Sequence, residues 1–153
     1  MKIIGFNFTK LNAERTEMKK TPLGVATDIK FLNIEKEEKL DVLKSGDILK
    51  VDFSYTVSYQ TTETKKSAAS IIIEGFALIA AEKNEVKEIL SVWKKKDLST
   101  NFKLFLFNFI LRKCTPKALS MESELDLPYH IPIPRLSPIQ ETENASDRDK
   151  KKK

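Results

Sequence analysis

The stretch Ile48-Leu49-Lys50-Val51-Asp52-Phe53-Ser54-Tyr55-Thr56-Val57-Ser58-Tyr59 decides the fold class. Leu49, Val51, Phe53, Tyr55, Val57 and Tyr59 take one set of alternate positions, and Lys50, Asp52, Ser54, Thr56 and Ser58 take the other. Side chains of a strand point alternately to its two faces, so six consecutive matches to a period of two leave little room for a helix. One face is apolar and the other wet, as antiparallel sheets often are. Downstream, polar Thr61–Ser67 reads as a hairpin loop, and a further strand starts near Ala68. From Ile71 that strand is apolar on both faces (Ile71-Ile72-Ile73, then Phe76-Ala77-Leu78-Ile79), so it asks to be covered from both directions. Upstream, Glu35–Asp47 is a charged connection in which Leu40 and Val42-Leu43 suit a helical turn and Ser45-Gly46-Asp47 a tight turn. Before it, Val25, Thr27, Ile29 and Phe31 alternate in a strand ending near Ile34, preceded by a loop over Glu14–Leu23. The first strand runs from Ile3 to about Ala13. Its apolar phase switches from Ile4, Phe6 and Phe8 to Leu11 and Ala13, which a bulge near Thr9-Lys10 or an early end would explain.

Beyond the strands the period changes. After Asn84, a candidate cap, Val86, Ile89, Leu90 and Trp93 form an amphipathic stripe, and Lys94-Lys95-Lys96 suit the negative end of a helix. Ser99 or Thr100 caps a second helix running to about Lys113, and Pro116 opens a further turn capped by Thr115. Three prolines in Pro128–Pro134 force an extended apolar strap. From Gln140 the polar chain reads as disordered. Strands grouped before helices give an α+β fold. It is a four-stranded antiparallel sheet, then two helices, then an extended proline-rich C-terminal strap. The expected organisation is one domain over 1–136 and a charged tail over 137–153.

At 153 residues and 41% hydrophobic content, one domain would bury about 70% of its unfolded surface. One cysteine, Cys114, excludes a disulfide framework, and one histidine, His130, removes most zinc sites. No cofactor or metal is expected. No apolar run reaches the roughly 20 residues of a membrane helix, and the start turns polar too soon for a signal peptide, so a cytoplasmic protein is expected. The net charge of +5 invites a nucleic-acid reading, but Lys94–Lys96 and Lys150–Lys153 supply seven positive charges, and removing them leaves −2. A nucleic-acid or ribosome-associated module using those two runs is the alternative reading.

The four glycines are isolated and form no phosphate loop. Cys114 and His130 are 16 residues apart; Cys114 reads as a buried small hydrophobe at a helix end, and His130 as a surface or strap residue bonded to a carbonyl. Glu122 and Glu124 read as solvated carboxylates. Nothing points to an enzyme. What stands out is apolar surplus. Phe102, Phe105, Leu106, Phe109 and Ile110 make one stripe of the second helix, and Leu104, Phe107, Leu111 and Cys114 make another. With the two-sided fourth strand and the strap, this exceeds what one small unit covers, so a homo-oligomer, an apolar groove for partners, or both are expected.

This layout resembles the SecB family of export chaperones. The resemblance lies in the strand running into helix over Ile71–Trp93, in Phe105–Cys114 of the second helix, and in the closing Leu125–Pro134, which is similar to that of archaeal-type relatives. It implies a homotetramer, a dimer of dimers, that holds unfolded or preprotein polypeptides in long apolar grooves without ATP. The polypeptide-binding residues so implied are Phe76, Phe105, Phe107, Tyr129, Ile131 and Ile133. Typical bacterial members are acidic and carry a zinc-binding Cys/His tail that docks a translocation ATPase; here the tail is Lys150–Lys153, with neither ligand. A different downstream partner, or none, is the corresponding expectation, with a role in stabilising an antitoxin as a further one.

Overall fold

In a computed structural model, which describes residues 1–16, 22–38 and 46–137, the deciding stretch is strand β3, Asp47–Thr61. It lies between β2 (Leu23–Glu37) and β4 (Ser67–Ala81), and β1 (Lys2–Arg15) adds to the far side of β4. The spatial order is therefore β1-β4-β3-β2, antiparallel throughout. Helix α1 (Lys83–Lys94) and helix α2 (Thr100–Glu124) follow, and residues 127–137 form neither helix nor strand. The α+β fold expected from the sequence is thus present. The expected helical turn at Leu40–Leu43 and the tail beyond residue 137 lie outside the described residues.

Register shows why β3 and β4 are the core. Val51 faces Ala77, Tyr55 faces Ile73 and Val57 faces Ile71, all buried on the face that the helices cover. The other face of β4 carries Ile72, Phe76 and Leu78 among Lys50, Asp52 and Thr56 of β3 and Asn7 and Asn12 of β1. These apolar side chains are half-buried by their neighbours in the sheet, and Lys50 Nζ sits 5.4 Å above the Phe76 ring. Both edge strands are irregular. β1 shifts register between Ile3 and Gly5 and between Phe8 and Lys10, and β2 between Phe31 and Asn33. The second shift is the bulge that the phase change at Thr9-Lys10 signals. Bulges on long edge strands also discourage indiscriminate pairing.

Helix α2 is one element. The turn expected to start afresh at Pro116 instead continues the helix to Glu124. Pro116 has no N–H to give the carbonyl of Arg112, but both residues are exposed, so that carbonyl is open to water. Nor do the two expected stripes bury as blocks. The buried residues are Phe102, Leu106, Ile110, Cys114, Ala118 and Glu122, each four positions after the last. Such a row runs about 26° off the helix axis, and it stays on the sheet because the sheet is itself twisted. Phe109 then flanks β1, with its ring 5.4 Å from Phe6, while Phe107 flanks β2, 5.0 Å from Phe31.

Caps complete the helices. Ser99 Oγ accepts from the Phe102 N–H, and Glu82, rather than the expected Asn84, begins α1 in a capping box with Glu85. Both C-termini close as Schellman motifs without glycine. Lys96 and Asp126 take the left-handed position, with φ of 57° and 51°. The N–H groups of Asp97 and Leu127 return to the carbonyls of Val92 and Glu122. Arg15 at the end of β1 donates to the carbonyls of Leu125 and Asp126, placing a cation on the negative end of α2.

A Cβ at Gly75 would stand 2.3 Å from the Asn7 carbonyl and 3.0 Å from the Phe53 ring, whereas one at Gly24 would meet only a carbonyl at 3.8 Å. Gly75→Ala is expected to destabilise the protein by about 1–3 kcal/mol, the range for overpacking a filled core. Gly24→Ala should change little, and urea unfolding of the two variants checks both.

Candidate functional site

The helix-covered face of the sheet carries two tyrosines, and their hydroxyls give the site its polar centre. Tyr55 and Tyr59 are four apart on β3, an even spacing, so both point to the same face, under the end of α2 and the start of the strap. Glu122, the last member of the buried α2 row, is fully buried there. Tyr59 Oη lies 2.8 Å from Glu122 Oε1 and 2.8 Å from the Pro128 carbonyl, so its one proton is shared between two acceptors. His130 Nδ1 is 2.6 Å from Glu122 Oε1, and the Tyr55 hydroxyl is 2.8 Å from His130 Nε2. With Nδ1–H donating to the carboxylate, Nε2 accepts from Tyr55. Every polar atom of the cluster then has a partner, which is the condition for burying a carboxylate tolerably. Burial raises both phenol pKa values above the ordinary range, and at Tyr59 the Glu122 carboxylate adds to it.

This network corrects two readings. Glu122 is buried and bonded while Glu124 alone is solvated, because Glu122 falls in the buried row. His130 bonds a carboxylate and a phenol, not a carbonyl. Its two ring nitrogens are thereby occupied, and Cys114, buried in the middle of α2 rather than at a helix end, makes no bond to it. Burial pushes the Cys114 thiol pKa up to about 12, the opposite of what a nucleophile needs. Among the described residues no cluster of His, Cys, Asp or Glu is able to hold a metal ion, and no helix is long and apolar enough to cross a membrane.

Around this pinned centre the apolar side chains face outward. On α2, Leu104 is 53% exposed, and Phe105 and Leu111 are also exposed. On the strap, Tyr129, Ile131 and Ile133 are exposed and line one shallow cavity with Pro128, Pro132 and Arg135. The six residues singled out in the sequence therefore divide among separate places. Tyr129, Ile131 and Ile133 come together; Phe105 is on the open side of α2; Phe107 is half-buried against Phe31; Phe76 is on the opposite face of the sheet. The sequence reading missed Ile4, Phe8 and Leu11 on β1 and Leu32 on β2, which are exposed on the two edge strands. The strand pattern names Ile4, Phe8 and Leu11 but not Leu32, and only the strand order shows that β1 and β2 are the outer strands of the sheet.

No family model matches the sequence, and no curated protein matches it. Among solved structures, the fold is similar to that of a Mycobacterium tuberculosis SecB-like chaperone in complex with a ChAD peptide from the HigA1 antitoxin. The TM-score is 0.53 and the identity 14%, over 90% of this chain and 91% of that one. At this identity the likeness establishes the fold, and the resemblance read from Ile71–Pro134 holds at that level.

Glu122→Ala leaves His130, Tyr59 and the strap without their shared acceptor and is expected to cost about 3 kcal/mol in urea unfolding. Tyr55→Phe, which removes one neutral donor, should cost about 1 kcal/mol. Cys114 should resist a thiol reagent at mildly alkaline pH until urea unfolds the chain.

Proposed function

We propose that this chain is an ATP-independent holdase that binds unfolded or preprotein polypeptide on apolar surface. The observation that carries this is the outward-facing apolar set on α2 and the strap, rigidly based on a fully bonded core. A soluble monomer rarely exposes so many large apolar side chains along one helix and the segment after it. The fold likeness to a peptide-bound chaperone supports the same reading.

The mechanism is burial of client side chains, at roughly 25 cal/mol per Å² gross, against the entropy the client loses. Tyr129, Ile131 and Ile133 form the contact surface on the strap, with Phe105 on α2. Phe107 and Phe76 complete the proposed set, Phe107 from the β2 flank of α2 and Phe76 from the far face of the sheet. The two unpaired edges, β1 and β2, add main-chain hydrogen bonds to an extended client. The working unit is the 1–136 domain, acting in the cytoplasm in export or quality control as a dimer or tetramer. An antitoxin segment as client is a second reading, favoured by the antitoxin peptide in the structural neighbour.

The protein should suppress aggregation of an unfolding model client in proportion to its concentration and without nucleotide. Phe105→Asp and Ile133→Asp should weaken this severalfold while leaving the urea midpoint in place, because both residues are exposed. Absence of suppression at stoichiometric excess overturns the reading, and a monomer by light scattering overturns the oligomer.

A further inference from the structure

Helix α1 separates two grooves of opposite character. One is acidic, lined by Glu85, Glu88 and Asp97 beside Ile89 and Val92. The other lies between β2, the end of α1 and the start of α2, and encloses about 580 Å³. Its floor is Phe31, Trp93 and Leu98, and its rim is Lys94, Lys96 and Lys103; Lys30 also touches it, but as the residue before Phe31 on β2 it turns its ammonium to the other face of the sheet. No acidic side chain lines it. Lys30 has Asp28 at 3.4 Å, but among the described residues Lys94, Lys96 and Lys103 have no carboxylate within ion-pair distance. Three unpaired positive charges stand around an apolar floor that is open to solvent.

We propose that this groove binds an acidic stretch of polypeptide bearing bulky apolar residues. The proposal rests on the polypeptide-binding reading above and names the class of client segment. In an extended chain, alternate residues face opposite ways. Asp and Glu at one set of positions therefore reach the lysines while Leu or Phe between them cover the floor. The volume is within the usual range of a binding cleft. Lys30 and Phe31 belong to β2, an edge strand, so the main chain of the segment finds unpaired sheet groups beside the groove. A nucleic acid fits less well. No amide, hydroxyl or guanidinium side chain lines the groove, so base edges entering it would meet lysine and indole donors but no side-chain acceptor for their amino groups. Lys96 also occupies a backbone position that favours glycine, holding its charge at the rim against local strain.

Trp93, the only tryptophan, lies in the groove floor and reports occupancy by its emission. A short synthetic peptide alternating Asp or Glu with Leu and Phe should change that emission saturably, and added salt should weaken the effect. Its Asn and Gln counterpart should bind about tenfold more weakly, since each exposed ion pair contributes a factor of about two to five. Lys96→Gly keeps the helix cap and should leave the unfolding midpoint unchanged or higher, while weakening the acidic peptide about two- to fivefold. Lys103→Gln should do the same, and Lys103→Arg should restore binding. Equal affinity for the amide peptide, an emission that never moves, or preferential binding of single-stranded RNA overturns the proposal. Aggregation suppression of a neutral client, measured alongside, separates the two readings. If it is lost while the acidic peptide still binds, the holdase reading fails and the groove stands. If it is kept without peptide binding, the groove fails alone.

Discussion

The inner faces of β3 and β4 are apolar along nearly their whole length, and that length has to be covered. Val51 to Tyr59 and Ile71 to Ile79 are buried, so a covering element must travel obliquely across a twisted sheet from one end to the other. Only a long helix with its buried residues four apart does this, which explains why α2 runs for 25 residues and passes through Pro116. The same constraint produces the outward apolar surface. A helix committed to a narrow oblique row cannot also hide Leu104, Phe105 and Leu111. The surface proposed to hold clients is thus a by-product of how the core is sealed.

Polar chemistry sits where that covering ends. Glu122 closes the buried row of α2 and bonds a tyrosine from the sheet and a histidine from the strap, so three parts of the chain meet at one carboxylate. Leucine there would fill space but leave the imidazole of His130 without its acceptor and the phenol of Tyr59 with the Pro128 carbonyl alone. The network fixes where residues 128–130 stand and thereby sets the direction in which Tyr129 and Ile131 face.

How much was legible in the sequence follows from the physics of each signal. The strands were legible because one wet face makes period-two alternation visible, and the β1 bulge because an extra residue inverts the phase at Leu11. The helix ends were harder. Lys96 and Asp126 do the work usually left to glycine, so neither C-terminus carries its customary marker. Pro116 misled because the rule against interior proline presumes a carbonyl with nowhere else to turn. Glu122 and His130 were missed as a pair because eight residues and a helix end separate them, and single carboxylates on a sequence say nothing of burial. The basic groove was half visible in the Lys94–Lys96 run, but Lys103 joins it only through the fold.

His130 anchors the strap near its beginning, and among the described residues Ile133 and its neighbours make no hydrogen bond of their own to the sheet. A load applied at Ile133 is therefore delivered to a small cluster of hydrogen bonds at one imidazole and one carbonyl. The β3–β4 ladder, by contrast, shares strain over its full register. The strap is thus built like a shear pin: pulled along its length, it parts at this cluster before the sheet that carries it is disturbed.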